Sequence, residues 1–190
     1  MSEEDGIAYN EWSWAHIQST PYVRKENSWE RGKSELSVVQ QLSLDGIFDY
    51  AAGNGGFVRA CRDAELTADG CEVAPSARQL AIEYFGIELY AEPPDKQFNV
   101  LCLHSILEHV FDGNKLLNKV LPLLKPEGTL VIRTPLFNYQ KQGWWAYGSE
   151  HLCVYSNDAV CNLLKEHGYA LLKHYGSEQS TYVFKNGQSE

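Results

Sequence analysis

Asp49-Tyr50-Ala51-Ala52-Gly53-Asn54-Gly55-Gly56-Phe57 carries almost no side-chain volume at residues 51–53, 55 and 56. It follows a short apolar run, Gly46-Ile47-Phe48, and leads into a helix-like segment, Val58 to Ala64. A turn of this composition lets the backbone approach a ligand closely and take positive φ where needed. Glu72 follows the start of the turn by about twenty residues, the spacing at which dinucleotide and nucleoside sites set their ribose-binding acid. Glycine turn and spaced acid together read as a pocket for an adenosine-containing cofactor.

Outward from this turn, short apolar runs alternate with segments of helical period. Strands are expected at Gly46–Tyr50, Leu66–Val73, Ile87–Tyr90, Phe98–His104 and Thr129–Arg133, and helices at Gly56–Ala64, Ser76–Phe85, Lys115–Leu124 and Asn157–His167. The last helix is the best marked. Ser156 can cap it, Asp158 lies in its first turn, Gly168 can end it, and Val160, Leu163, Leu164 and His167 share one face. Tyr169–Tyr175 and Thr181–Lys185 read as a closing antiparallel hairpin joined by Gly176-Ser177-Glu178-Gln179-Ser180. The expected fold is α/β and Rossmann-like, with a mostly parallel seven-stranded sheet, helices on both faces and a C-terminal antiparallel hairpin.

Residues 1–45 break this alternation. Tyr9, Trp12, Trp14, Tyr22 and Trp29 are spread among polar residues without a strong period. Two roles stay open for this N-terminal helical and aromatic flap: packing on the main body, or covering a bound molecule. Residues 46–190 form the expected cofactor-binding domain, and no repeat, low-complexity tract or linker divides the chain.

The composition narrows the function. At 190 residues, 44% hydrophobic and 22% charged, the chain suits one soluble globular domain. A formal charge of −9 with no basic run argues against nucleic acid or an anionic membrane as partner. No apolar stretch approaches the roughly 18–20 residues a membrane span needs. Met1-Ser2-Glu3-Glu4-Asp5 is acidic and unlike a signal peptide, so a cytoplasmic location is expected. The five cysteines (61, 71, 102, 153 and 161) show no CxxC pair; Cys71 and Cys102 read as small buried hydrophobes.

From Gly46 to Tyr175, segments in register resemble the class I S-adenosylmethionine-dependent methyltransferases. Asp49 to Gly55 resembles the Asp-x-Gly-x-Gly-x-Gly turn, and Gly70-Cys71-Glu72-Val73-Ala74-Pro75-Ser76 the stretch that carries the ribose acid. Phe98-Asn99-Val100-Leu101-Cys102-Leu103-His104 resembles the fourth strand, and Leu123-Leu124-Lys125-Pro126-Glu127-Gly128-Thr129-Leu130-Val131-Ile132 the helix end, turn and fifth strand. Leu107-Glu108-His109-Val110, then Glu150-His151-Leu152 and Tyr155-Ser156, are similar to segments of the branch that includes small-molecule O-methyltransferases.

The resemblance implies S-adenosyl-L-methionine as cofactor, bound by Asp49, Ala51, Gly53, Gly55, Glu72, Val73, Leu103 and His104. Gly53 and Gly55 would let the backbone pass the cofactor's amino-acid end, Glu72 would accept the ribose hydroxyls, and Asp49 would orient the turn or accept from the ammonium. Ligands in parallel α/β sheets lie beyond the strands' carboxyl ends, which gathers the first turn, Glu72, residues 104–109 and the loop after Arg133 at one crevice. Methyl transfer is mainly a positioning task, and a hydroxyl nucleophile gains from a general base. His151, in a loop with Trp144-Trp145-Ala146-Tyr147, is the first candidate base, with Glu108 and His109 as the other catalytic candidates. The aromatic pair is either a patch folded under the loop or a platform for a ring. If residues 104–110 begin a helix, His104 and Glu108 share a face and His109 turns aside.

A metal is not expected. The quinone-pathway O-methyltransferases that this branch is similar to can carry Glu-x-x-Glu-His, but Ser105 replaces the first acid here and leaves two ligands. Other departures are Ala51 for the turn's first glycine, Asn99 for an aspartate, Glu127 for a glycine, and a short span from Ile87 to Phe98 in which Glu92 or Asp95 would meet the adenine amino group. Ala51-x-Gly53-x-x-Gly56 is only a degenerate nicotinamide fingerprint, and no second domain for hydride transfer is visible. The expected activity is methylation of a hydroxyl, or an amine, of a small molecule such as a sugar or phenol. The alternative is a non-catalytic methyltransferase-like protein that binds a cofactor or partner. Oligomeric state is left open.

Overall fold

The computed structural model describes residues 24–42, 45–136, 151–176 and 179–187. Its contacts divide the chain into two compact units, Met1–Asp95 and Lys96–Glu190. Tyr9, Trp12, Trp14, Tyr22, Trp144, Trp145, Tyr147 and Glu150 lie outside the described residues.

In the first unit, helix α1 (Lys25–Gln41) buries Ser28, Gly32, Leu36, Val38 and Val39. Trp29, the one described aromatic of the expected flap, is exposed and takes Lys33 Nζ at 4.1 Å from its ring centroid. Strand β1 (Ile47–Tyr50) runs parallel to β2 (Ala68–Cys71), with Ile47 opposite Ala68 and Tyr50 opposite Cys71. Helix α2 (Gly56–Asp63) makes the crossover between them. Helix α3 (Pro75–Phe85) begins on a proline, whose fixed φ suits a first helical turn, and ends at Gly86 in the left-handed region.

The strand expected at Ile87–Tyr90 does not form as a ladder. Tyr90 makes a single bridge to Cys71, donating to the Gly70 carbonyl at 3.0 Å and accepting from the Glu72 N–H at 2.9 Å. Pro93 and Pro94, just beyond, lack the N–H that further pairing requires. The described residues accordingly hold six strands rather than seven, in mixed rather than mostly parallel pairing.

In the second unit, β3 (Phe98–His104) pairs parallel with β4 (Leu124–Pro135). β4 pairs antiparallel with β6 (Gln179–Asn186), and β6 with β5 (Tyr169–Tyr175), which is the expected hairpin. Helix α4 (Gly113–Val120) starts where the Asp112 side chain accepts from the Lys115 N–H at 3.0 Å. It ends earlier than expected, because Leu121-Pro122-Leu123 tightens into a 3-10 turn. Helix α5 (Asn157–Glu166) has its expected cap, the Ser156 hydroxyl accepting from the Ala159 N–H at 3.1 Å. Val160 and Leu164 are buried, whereas Leu163 and His167 are half-buried. The core of this unit is Val100–Leu103, Leu130–Ile132 and Tyr182–Phe184, while most of β5 is exposed.

Candidate functional site

The glycine turn is a left-handed zigzag. Ala51, Gly53 and Gly55 have φ of 61°, 55° and 77°, so three alternate residues occupy the region that glycine tolerates best. The Gly55 N–H donates to the Ala52 carbonyl at 3.0 Å, and the Ala52 N–H to the Cys71 carbonyl at 2.9 Å. Gly55 is the N-cap of α2, so the turn delivers the chain directly into that helix. A Cβ on Gly70 would lie 2.9 Å from the Ala52 Cβ and 3.0 Å from the Asp49 carbonyl oxygen, which explains glycine there in β2.

Glu72 fastens this turn. Its Oε2 accepts from the Gly53 N–H at 3.0 Å and its Oε1 from the Ala74 N–H at 2.9 Å. Arg78, on α3, holds the same corner through its Nη1, which donates to the Glu72 and Val73 carbonyls at 2.6 and 2.7 Å. Glu72 is only 5% exposed. Burial pushes its carboxyl above the usual range, opposed by the Ala74 and Gly53 N–H groups and the Arg78 charge. Asp49, at the same end of β1 as the turn, is also buried. The expected residues Asp49, Ala51, Gly53, Gly55, Glu72 and Val73 thus belong to one corner of the first unit. Sequence reasoning missed Arg78, whose signal is only an arginine one turn into the helix after the acid.

The second unit holds the candidate histidines His104, His109 and His151. Leu103 is fully buried within β3 and His104 is half-buried at its end. Ser105 then takes φ 52° and donates to the Arg133 carbonyl at 2.8 Å. This breaks the run before any helix starts, and only Leu107–His109 coil into a 3-10 turn. His109 therefore does not turn aside as the helical expectation had it. Its ring meets that of His151 edge-on, with centroids 5.0 Å apart at 69°. The Cys153 N–H donates to the Glu108 carbonyl at 3.1 Å, which pins the His151 segment to this turn.

Glu108 is the buried member of the group, at 1% exposure, and its Oε2 accepts from the Thr134 hydroxyl at 2.9 Å. Burial raises its carboxyl above the usual range. Its own N–H, the Thr134 hydroxyl and the charges of His151 and Arg133 oppose that shift. One donor atom from each of Glu108, His109 and His151 lies within 4.8 Å of the others. The group offers an imidazole base beside a buried carboxylate, or three ligands of the kind that hold a divalent cation. Thr134 was not anticipated; its place opposite Glu108 depends on the pairing of β3 with β4, which no local motif announces.

An α/β domain with a glycine turn tied to an acid at the end of β2 defines a nucleoside-cofactor-binding class. The methyltransferase domain model matches residues 27–174, and the chain belongs to that family. Solved structures with the same fold include DhpI in complex with SAH, at 12% identity and TM-score 0.71, covering 97% of each chain. A second is the 1,6-didemethyltoxoflavin-N1-methyltransferase of Burkholderia thailandensis, with bound 1,6-didemethyltoxoflavin and S-adenosylhomocysteine. It is 13% identical with TM-score 0.70, over 97% of this chain and 89% of that one. The mitomycin 7-O-methyltransferase MmcR has 14% identity and TM-score 0.73, over 96% and 67%. No curated protein sequence matches the chain.

Proposed function

We propose that this methyltransferase carries a methyl group from S-adenosyl-L-methionine to a hydroxyl, or an amine, of a small molecule such as a sugar or phenol. The observation that carries the cofactor site is the fastening of Glu72 to Gly53. Each Glu72 oxygen accepts one backbone N–H and keeps a lone pair for a ribose hydroxyl. Gly53 and Gly55 leave the turn open to the amino-acid end of the cofactor, Ala51 borders it, and Asp49 accepts from its ammonium. Val73, next to Glu72, completes the cofactor contacts of the first unit.

In the transfer, a substrate oxygen forms a bond to the methyl carbon as the carbon–sulfur bond breaks, leaving S-adenosylhomocysteine. His151 takes the hydroxyl proton, with His109 against its ring and Glu108 beside the pair. The family model and the small-molecule methyltransferases of like fold support this reading. The charge of −9 supports a substrate other than nucleic acid. A cytoplasmic location and a flap formed by residues 1–45 on a domain of 46–190 belong to the same proposal; no described helix is long and apolar enough to cross a membrane.

The test is calorimetric titration with S-adenosylmethionine and S-adenosylhomocysteine, with NAD as control. Micromolar binding that disappears in Glu72→Ala supports the site; no binding of either compound overturns it. A second reading of the histidine group is favoured by the 4.8 Å clustering of its donor atoms. Glu108, His109 and His151 fit a divalent cation of the imidazole-tolerant kind, which would lower the pKa of a bound hydroxyl. Metal analysis of the purified protein separates the two readings.

A further inference from the structure

Helix α1 touches the glycine turn backbone to backbone. Ser28, Gly32, Leu36 and Val39 recur at helical spacing and are all buried. A Cβ on Gly32 would fall on the Gly56 carbonyl group and 2.8 Å from the Phe57 nitrogen. A Cβ on Gly56 would in turn collide with the Ser28 hydroxyl and carbonyl, with the Ser28 carbonyl carbon at 2.8 Å. Between these contacts the Ser28 hydroxyl donates to Asn54 Oδ1, and both side chains are at most 3% exposed. Asn54 lies between Gly53 and Gly55, the two glycines assigned to the cofactor.

We propose that Ser28 and Gly32 are positioning residues for the cofactor, acting through Asn54 and Gly56 to set the conformation of the turn. The inference rests on the reading that this turn carries S-adenosylmethionine. A stretch with left-handed residues at 51, 53 and 55 has little intrinsic reason to hold one shape, because glycine loses more freedom on ordering than any other residue. Two clamps supply that reason. Glu72 grips the Gly53 N–H from β2, and α1 grips Asn54 and Gly56 through a hydroxyl and a close backbone contact. Cofactor affinity is then set partly by a helix that precedes the first strand. Rigidifying a binding loop in its bound form raises affinity by lowering the ordering cost.

Gly32→Ala forces the backbones apart, since the colliding atoms are backbone and cannot rotate away. Ser28→Ala removes only the hydroxyl. The experiment measures S-adenosylhomocysteine binding by calorimetry in the full chain, with Ser37→Ala as control. Ser37 is exposed on the same helix, and its hydroxyl donates only to the Ser34 carbonyl, at 2.7 Å. Ser28→Ala is expected to weaken binding about tenfold, and to raise the KM for the methyl donor while kcat at saturation stays unchanged. Ser37→Ala leaves both unaltered. Hydrogen exchange gives a readout that plain destabilisation would not. S-adenosylhomocysteine slows exchange of amides 28–36 in the wild type, and that protection is lost in Ser28→Ala.

A folded Ser28→Ala protein that binds within twofold of wild type overturns the clamp, and it decides the matter even if Gly32→Ala fails to fold. Wild-type-like binding in Glu72→Ala as well would overturn the site reading instead, so the two failures are distinguishable.

Discussion

The Glu72 carboxylate accepts the Gly53 N–H at 3.0 Å across nineteen residues of sequence, so the acid expected to bind ribose is also part of the glycine turn's own structure. On the proposed reading, substitution there acts twice, on the ribose contact and on the turn itself. Glu72→Ala is expected to weaken S-adenosylhomocysteine binding by more than tenfold, the loss of about two charge-assisted hydrogen bonds. Glu72→Gln keeps one oxygen and should fall between Ala and wild type. Calorimetry on the three proteins checks the order.

Ala51 occupies φ 61° where the resembling turn has glycine. Left-handed backbone costs an L-residue roughly 1–2 kcal/mol, and replacement by glycine gives back about 0.5–1 kcal/mol through the unfolded chain. Ala51→Gly should therefore stabilise the protein by about 0.5 kcal/mol, a rise of about 1–2 °C in Tm for a chain of this size. Thermal unfolding followed by circular dichroism reads it. A lower Tm would mean that the Ala51 methyl makes contacts worth more than the strain.

The parts of the fold legible beforehand are those whose cause is local. The glycine turn, the Ser156 cap and the closing hairpin each announce themselves within a few residues, and each formed. The segment Ile87–Tyr90 looked like a strand because its apolar run is visible, while pairing depended on the prolines beyond it. A helix over residues 104–110, the condition under which His104 and Glu108 would share a face, does not form: Ser105 takes positive φ and its N–H is bonded to Arg133 on another strand. The meeting of His109 with His151 was illegible for the same reason. The link from Cys153 to the Glu108 carbonyl spans forty-five residues, and no spacing rule foretells it.

Glu72 and Glu108 are both held above the ordinary carboxyl value of 4.5, first by burial. The folded protein then keeps these protons more tightly than the unfolded chain. Their contribution to stability is fully present below 4.5 and is lost as the pH rises through the raised folded values. Glu108→Gln removes one of the two titrations while keeping an acceptor for the Thr134 hydroxyl. Relative to wild type, this variant should gain stability on going from acidic to neutral pH. Urea midpoints measured across that range should diverge in its favour. Parallel curves would show that Glu108 titrates alike in the folded and unfolded chain.

His151 and His109 lie edge to face over a buried carboxylate, and that arrangement serves a base or a cation. On the proposed reading, His151→Ala lowers kcat about 10²–10⁴-fold, the usual contribution of a general base. It should leave S-adenosylhomocysteine affinity unchanged, because the assigned cofactor contacts do not include this side chain. Treatment with a chelator should leave the wild-type rate intact. If the three side chains hold a cation instead, the chelator abolishes turnover, added metal restores it, and both His109→Ala and Glu108→Ala lose the bound ion. His109→Ala decides between the two. It halves the imidazole ligands of a metal site yet leaves a His151 base in place, so a loss of only a few fold, without any metal in the purified protein, selects the base.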